Sequence, residues 1–180
     1  MSDGPDKSSL LQSALASYQG PLVRYVERIT RDLDRAADVV QETFLRLWSA
    51  DPPPAAPALA QWLFTVARNL ALDVRRKERR MNPLSDGLLA GAASADGGPV
   101  EAAERDENVA RALAALSRLS PNQQEVVRLK FQNQFSYKQI AGITGLSVTN
   151  VGFLLHTAIR KIRQHLAPDQ SAAGGLGAAP

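Results

Sequence analysis

The chain contains no cysteine, which excludes disulfide bonds, thiolate metal sites and cysteine nucleophiles. Aromatic residues make up only 6% of its 180 residues, so a core has to be built mainly from Leu, Val, Ile and Ala. No apolar run approaches the roughly 18 residues that a membrane-spanning helix needs. The first residues also lack the basic start and apolar stretch of a signal peptide. These absences predict a cytoplasmic protein that does not insert into a membrane.

The only two histidines give no sign of catalytic chemistry. His156 and His165 stand in one predicted helix, and no Asp or Glu occurs from Val126 to Pro168. A metal site or an acid–base pair needs several ligands or carboxylates close together. A glycine-rich loop of the kind that cradles phosphates is also missing. The sequence therefore predicts no catalytic residue, no metal site and no cofactor, and it argues against an enzyme.

Positive charge is concentrated in two segments. Six basic and two acidic residues lie between Arg68 and Arg80, and six basic residues and no acidic one lie between Val126 and Pro168. Since the whole chain carries a net charge of +3, the remainder is acidic. One basic segment alone is explained equally well as a solvated helix face. Two of them favour contact with a polyanion such as nucleic acid.

The spacing of apolar residues predicts an all-helical fold. In the N-terminal half these residues recur at steps of three and four, as on one face of a helix. The expected elements are a first helix that Gly20-Pro21 breaks or kinks, a second from about Asp34 to Ser49, and a third from about Leu59 to Arg80. Trp48 is assigned to the apolar face of the second helix. The proline-rich segment over residues 51–57 is expected to be a stiff loop, because proline lacks the backbone donor.

The C-terminal half is expected to form a second helical domain. Ser120 and Pro121 mark a helix start, with serine as the cap and proline in the first turn. Helices are predicted over residues 100–119, 122–132, 137–144 and 148–166. The predicted organisation is a domain over residues 1–81, a flexible linker over 82–100, a domain over 101–167 and a disordered tail over 168–180.

The stretch SYKQIAGITGLSVTNVGFLL, Ser136 to Leu155, has the spacing of a helix-turn-helix. Ala141 is small where the second helix would cross the first, and Gly145 suits the positive φ of the turn. The apolar residues Leu146, Val148 and Val151 are expected to pack the two helices together. The pattern favours DNA binding, with a decoy helical hairpin as the alternative.

With both halves in view, the chain resembles the extracytoplasmic-function sigma factors of bacterial RNA polymerase. The similarity is carried by RAADVVQETFLRLW and WLFTVARNLALDVRRKERR in the N-terminal half and by LSPNQQEVVRLKFQNQFSYKQIAGITGLSVTNV in the C-terminal half. The resemblance implies an alternative sigma factor that binds core polymerase and directs promoter recognition, DNA melting and transcription initiation. Implied partners are core polymerase, through its clamp coiled coil and flap, promoter DNA as duplex and single strand, and an anti-sigma factor.

The segment that in the family binds the polymerase clamp matches the second predicted helix. The residues implied in core binding are Asp38, Val39, Gln41, Glu42, Phe44 and Leu45. Asp38, Gln41, Glu42 and Leu45 are three or four residues apart, which places carboxylates beside apolar contacts on one face. Many members carry more acids just before this point, where this chain has Arg35, Ala36 and Ala37. That departure implies a weaker contact with the clamp.

The third predicted helix matches the part of the family that opens the minus-ten element. A basic groove with a pocket for an unstacked base is what single-stranded DNA requires. Trp62 is expected to pack in the core, and the loop over residues 49–60 matches the one that captures a flipped base. The residues implied in minus-ten binding are Arg68, Asn69, Arg75, Arg76, Lys77, Arg79 and Arg80.

The last predicted helix matches the one that enters the major groove over the minus-thirty-five element. Its inward stripe is expected to consist of Val151, Leu155, Ala158 and Ile162. The residues implied in minus-thirty-five binding are Ser147, Thr149, Asn150, Phe153, His156, Arg160, Lys161 and Arg163. Gly152, Leu154 and Thr157 replace basic residues of many relatives, which implies weaker and less salt-dependent binding. Phe153 and Leu154 could equally form a protein-facing patch.

Two alternatives follow from the same residues. A stand-alone helix-turn-helix regulator would explain the C-terminal half but would leave the DVVQETF and WLFTVARN segments without a purpose. The other alternative is a sigma factor that is silent until an anti-sigma factor is released or a modification occurs. Binding to core polymerase separates the regulator from the sigma factor.

Overall fold

The computed structural model describes residues 7–81 and 110–166, and within these ranges it contains helices and turns but no strand. The expectation of an all-helical fold is therefore confirmed. The predicted linker and tail lie outside the described residues. The helices are α1 (Lys7–Thr30), α2 (Leu33–Ser49), α3 (Ala56–Met81), α4 (residues 110–117 as described), α5 (Pro121–Phe131), α6 (Tyr137–Thr144) and α7 (Val148–Leu166).

Helices α1, α2 and α3 pack against one another as a three-helix bundle. Leu22, Val26, Leu63 and Phe64 are buried at its centre. The start of α2 is capped by Asp32, whose carboxylate accepts a hydrogen bond of 2.9 Å from the backbone N–H of Arg35. This cap satisfies one of the donors that the first turn of a helix leaves without a partner.

The prediction that Gly20-Pro21 breaks the first helix is wrong, since α1 runs through Pro21 without interruption, and the alternative of a kink stays a prediction. Proline in a helix interior loses one hydrogen bond and crowds the preceding turn. The turn that follows Pro21 buries Leu22 and Val26 completely. We attribute the continuity of the helix to this packing, because tertiary burial commonly outweighs local propensity.

Two further expectations for the N-terminal half need correction. Helix α3 begins at Ala56, so the loop before it is shorter than residues 49–60. Pro57 is compatible with this start because the first turn of a helix has no partner for its N–H group. Trp48 is 48% exposed at the end of α2 and does not join the core. Trp62 does pack against the core, as expected.

Helices α5, α6 and α7 form the second bundle, with α4 at its start. Ser120 and Ser136 each begin a capping box, with Gln123 and Gln139 as the reciprocal partners. The expected limits of the helices over 137–144 and 148–166 are confirmed. Gly145 ends α6 in the left-handed region with φ of 75°, which is the turn that the spacing predicts.

The apolar stripe of α7 is confirmed in its main part. Val151, Leu155 and Ala158 are fully buried, and Ile162 packs against the same core. Val148 was expected to hold the two helices together, but it is 49% exposed. It is the first residue of α7, directly after the turn from α6.

The two bundles contact each other, chiefly through α3 and α6. The ring of Phe64 meets the ring of Phe135 edge-on, with centroids 5.0 Å apart, and its centroid lies 5.2 Å from that of the tilted Tyr25 ring. Buried residues of both bundles therefore form one continuous apolar cluster. In this conformation the two halves are joined by packing as well as by the chain.

Candidate polymerase-binding and DNA-binding surfaces

A groove of about 400 Å³ runs between α1 and α2. Its walls are mostly apolar and include Leu11, Leu15, Phe44, Leu45 and Trp48. Leu45 and Trp48 are about half exposed, which is unusual for large apolar side chains on one helix face. An exposed apolar groove of this kind is typical of a surface that receives another protein.

The residues predicted to bind the polymerase divide into two groups. Asp38, Gln41 and Leu45 are exposed on α2, and Glu42 is half-buried beside Arg46, whose Nε lies 3.0 Å from a Glu42 carboxylate oxygen. The other two predicted residues, Val39 and Phe44, belong to the buried core. We infer that Val39 and Phe44 hold the helix in place, so that a partner would meet the exposed residues.

The structure partly explains why residues 35–37 carry none of the acids that many relatives have at this point. Ala36 is fully buried against the bundle, so a carboxylate at that position would be desolvated. Arg35 is exposed and pairs with Glu78 of α3 at 3.4 Å. This surface pair ties the start of α2 to α3.

Most of the residues predicted to bind the minus-ten element lie at the exposed C-terminal end of α3. Asn69, Lys77 and Arg80 are exposed. Arg76 pairs with Asp73 at 3.3 Å, in a contact where both side chains remain largely in solvent. Arg75 is half-buried and Arg79 is exposed, and each has an interaction within the chain. The basic character of this end of α3 is consistent with contact to a nucleic-acid backbone.

Arg68 stands apart from this group. Its guanidinium donates two hydrogen bonds to the carboxylate of Glu125 on α5, from Nε at 2.8 Å and from Nη2 at 3.2 Å. The two side chains are only 18% and 17% exposed. The phenol of Tyr25 donates to the same carboxylate at 2.7 Å. The structure therefore directs Arg68 into the contact between the two bundles.

Burial and charge shift the pKa values of this cluster. Burial is the largest cause that raises the pKa of Tyr25 well above its ordinary value, and the adjacent Glu125 carboxylate adds to it. Burial by itself lowers the pKa of Arg68, but its hydrogen bonds to Glu125 and the charge of Glu125 reverse this, and the pKa is raised. Both residues therefore keep their protons at neutral pH, and each acts as a donor to Glu125.

The residues predicted to bind the minus-thirty-five element lie together along α7. All eight are exposed: Ser147, Thr149, Asn150, Phe153, His156, Arg160, Lys161 and Arg163. The hydroxyl of Ser147 accepts from the backbone N–H of Asn150 at 3.1 Å and caps the helix. Lys161 lies 3.4 Å from the side-chain oxygen of Gln123, so it is partly held by α5.

Leu154 and Thr157 face protein in this structure. Leu154 packs against the core, and the Thr157 hydroxyl accepts a hydrogen bond of 2.9 Å from the amide of Gln123. Phe153 is different, because it is 65% exposed on the face that carries Asn150. Of the two apolar residues in question, only Phe153 is available to an external partner.

Sequence reasoning missed Tyr25, Gln123 and Glu125. Glu125 carried one signal, because it is the last acidic residue before the carboxylate-free segment that begins at Val126. Tyr25 carried no local signal, since its partner lies far away in the chain. Gln123 has the capping-box spacing from Ser120, but nothing local indicated its contact with Thr157. Among the described residues, no group of three or more His, Cys, Asp or Glu could hold a metal ion.

One further property of the described helices concerns membranes. No single one of them is long and apolar enough to cross a bilayer. By length and composition, α6 and α7 would pass that test only as a pair, and they are bent by 105° at the turn between them.

Comparison with protein families gives one consistent result for both halves. Residues 14–81 match Sigma-70 region 2, and residues 110–162 match Sigma-70, region 4. The matched ranges coincide closely with the two bundles. Each half therefore matches a different part of the same kind of protein, in the order in which a sigma factor carries them.

Individual relatives agree with the family match. The chain is 35% identical over 164 residues to the ECF RNA polymerase sigma factor SigL of Mycobacterium tuberculosis. This alignment covers 87% of this chain and 89% of the relative. It is 32% identical to the ECF RNA polymerase sigma factor EcfG of Rhodopseudomonas palustris, over 92% of this chain and 89% of the relative.

A solved structure extends the comparison to the fold. The sigma factor RpoE of Bartonella quintana, crystallised in complex with the anti-sigma factor NepR, aligns with a TM-score of 0.66 and 25% identity. The alignment covers 88% of this chain and 98% of that chain. Together with the two family matches and the relatives, this shows that the chain belongs to the extracytoplasmic-function family and is an alternative sigma factor of RNA polymerase.

Proposed function

We propose that α2 and the groove beside it form the docking surface for the clamp of core RNA polymerase. The observation that carries this proposal is the exposed face of α2, on which Asp38, Gln41 and Leu45 stand next to the apolar groove. A central apolar contact flanked by polar groups is the arrangement that gives protein interfaces both affinity and specificity. The polymerase supplies the chemistry of transcription, and this chain supplies recognition.

We also propose that α3 and α7 bind different elements of the promoter. The exposed basic end of α3 would follow the single-stranded minus-ten element, and the exposed face of α7 would enter the major groove of the minus-thirty-five element. Asn150 has the side chain that pairs with adenine, and Phe153 can contact a thymine methyl group. Arg160 and Arg163 are exposed further along α7 and can bind phosphates.

The clamp proposal is tested with two leucines on the same helix. Leu45→Ala removes an exposed side chain at the groove, and Leu33→Ala removes an equally exposed one at the start of α2. We expect Leu45→Ala to weaken binding to core polymerase by about tenfold, which is usual for a central interface residue. Leu33→Ala should bind as the wild type does. Equal affinities of the two variants would refute the proposed docking face.

A second state of the same surface is supported by the comparison structure. The Bartonella relative was crystallised with an anti-sigma factor, and an apolar groove between two helices suits an amphipathic helix of a partner. We propose that an anti-sigma factor competes with the polymerase for this groove. The Leu45→Ala variant should then lose affinity for both partners, whereas a separate anti-sigma site would leave that affinity unchanged.

Run-off transcription with core polymerase and a promoter library tests the proposal as a whole. Selective initiation that depends on this chain supports a working sigma factor with both DNA contacts. A chain that binds DNA but neither core polymerase nor an anti-sigma factor would instead act as a stand-alone regulator, and the clamp proposal would be abandoned.

A further inference from the structure

The contact between the two bundles is built from groups that fit closely. Phe64 and Phe135 stack edge to face at its apolar centre. Beside them, α6 approaches α3 at Gly142, where the nearest atoms belong to the end of the flexible Gln61 side chain of α3.

The polar part of the contact uses one carboxylate for two donors. Glu125 of α5 accepts from Tyr25 of α1 and from Arg68 of α3, so it connects to two of the three helices of the N-terminal bundle. The two hydrogen bonds from Arg68 are in the fork geometry that guanidinium groups also use to hold phosphate. The same atoms of Arg68 cannot bind Glu125 and a phosphate together.

The contact also contains an opposing charge interaction. Burial and then the positive charge of Arg28 on α1 lower the pKa of Arg128 on α5 to about 10, against a small opposing effect of Glu125. The Arg128 guanidinium is held at Nη2, 3.1 Å from the side-chain oxygen of Gln124. The like charges of Arg28 on α1 and Arg128 on α5 therefore oppose closure of the two bundles.

We infer that Glu125 is an internal competitor of promoter DNA, which holds the two bundles closed by occupying the guanidinium of Arg68. Opening of the contact returns Arg68 to the surface next to the other basic residues of α3. In the closed form, Arg68 is held by Glu125 and cannot bind DNA together with the other basic residues of α3. This inference rests on the proposed role of α3 in binding the minus-ten strand.

The absence of cysteine makes the test direct, since two introduced cysteines can be labelled without interference. Gln12→Cys on α1 and Gln164→Cys on α7 are exposed positions, one in each bundle, for a pair of fluorescent dyes. Energy transfer between the dyes then reports closure in the full chain. Anisotropy of a labelled single-stranded oligonucleotide of mixed sequence reports DNA binding.

Three variants and two controls separate the contributions. Glu125→Gln should lower energy transfer and tighten binding of the oligonucleotide by about threefold to tenfold. Glu27→Gln removes the same charge at an exposed position of α1 and should leave energy transfer unchanged. Tyr25→Phe should lower energy transfer to a smaller extent, since Arg68 still holds Glu125. Arg28→Gln should raise energy transfer, and Arg24→Gln on the same helix should not.

Each outcome has a definite meaning. Lower energy transfer together with tighter DNA binding in Glu125→Gln supports the inference. Unchanged energy transfer in both Glu125→Gln and Tyr25→Phe would show that this cluster does not hold the two bundles closed. Lower energy transfer without tighter DNA binding would show that Glu125 does not compete with DNA for Arg68. Failure of the wild-type chain to initiate with core polymerase would overturn the proposed function, and it would leave the energy-transfer result intact.

Discussion

Arg68 on α3 and Glu125 on α5 lie 57 residues apart in the chain and form a two-point ion pair, with nitrogen–oxygen distances of 2.8 and 3.2 Å. Both side chains are more than four-fifths buried, so the pair is well shielded from solvent. The pair belongs to a cluster with Tyr25 that has no free buried polar atom among the described residues. It links the part of the chain that matches sigma region 2 to the part that matches region 4.

Breaking this pair should reduce stability as well as closure. Glu125→Ala leaves Arg68 and Tyr25 without an acceptor in a partly dry contact, and we expect a loss of about 2–4 kcal/mol in the free energy of unfolding. Glu42→Ala removes the exposed pair with Arg46 and should cost less than about 1 kcal/mol. Urea denaturation of both variants measures the difference. Similar losses in the two would show that the buried pair contributes no more than a surface pair.

The aromatic contact gives a second test with a built-in control. Phe135→Ala removes a buried ring that packs edge-on against Phe64, and we expect a loss of about 3–5 kcal/mol. Phe131→Ala removes a ring that is 54% exposed at the end of α5, and it should change stability by less than about 0.5 kcal/mol. Thermal unfolding of the two variants checks the order. A small effect of Phe135→Ala would show that the bundles do not depend on this contact.

The buried Tyr25 phenol predicts a dependence of stability on high pH. Its pKa in the folded chain is raised, first by burial and then by Glu125, whereas the unfolded chain ionises near pH 10. The stability that Tyr25 contributes is complete below that pH and is lost as the pH rises through the folded pKa. Absorbance titration of tyrosinate should show one tyrosine that ionises late and disappears in Tyr25→Phe. A single transition for all three tyrosines would contradict this.

Promoter selectivity should depend on two exposed residues of α7. Asn150→Ala and Phe153→Ala each remove a group that can contact a base edge, and each should change the preferred base at one position of the minus-thirty-five element. The expected penalty on the original site is about 1–3 kcal/mol. Gln164→Ala, exposed near the end of the same helix, should keep the wild-type preference. Run-off transcription on a randomised element measures all three, and unchanged selectivity would exclude a role in base reading.

Phosphate contacts should appear in the salt dependence. Arg160→Ala removes one exposed cation of α7, and the slope of log affinity against log salt should become shallower by about 0.9 if that cation neutralises one phosphate. Arg24→Ala removes a cation from α1 and should leave the slope as it is. Binding of duplex promoter DNA over a series of salt concentrations gives both slopes. A slope that does not change in Arg160→Ala would place that residue outside the DNA contact.

Local features of the fold could be predicted from the sequence because their causes are local. The capping serine Ser120, the left-handed Gly145 and the inward stripe of α7 depend on residues within a few positions of one another. The predicted first and last residues of α6 and α7 were correct for the same reason. The candidate surface of α7 followed from this stripe, because the residues opposite a buried face are exposed.

Features that depend on distant partners could not be predicted. Arg68 has the composition of a DNA contact, but its acceptor lies in the other half of the chain. Pro21 continues a helix because of what packs around it, and Trp48 stays exposed because an apolar residue is not required to be buried. Sequence periodicity identifies the faces of helices, but it does not identify which face meets which.

The two capping boxes have a consequence for the electric field of the C-terminal half. Each box closes with glutamine, Gln123 for α5 and Gln139 for α6, where glutamate would perform the same capping. A neutral amide satisfies the backbone donor without adding negative charge to a half of the molecule in which Gln123 itself contacts Lys161 of α7. The start of each helix is thereby stabilised without repelling a polyanion, so that helix stability and attraction to DNA can vary independently in this half of the protein.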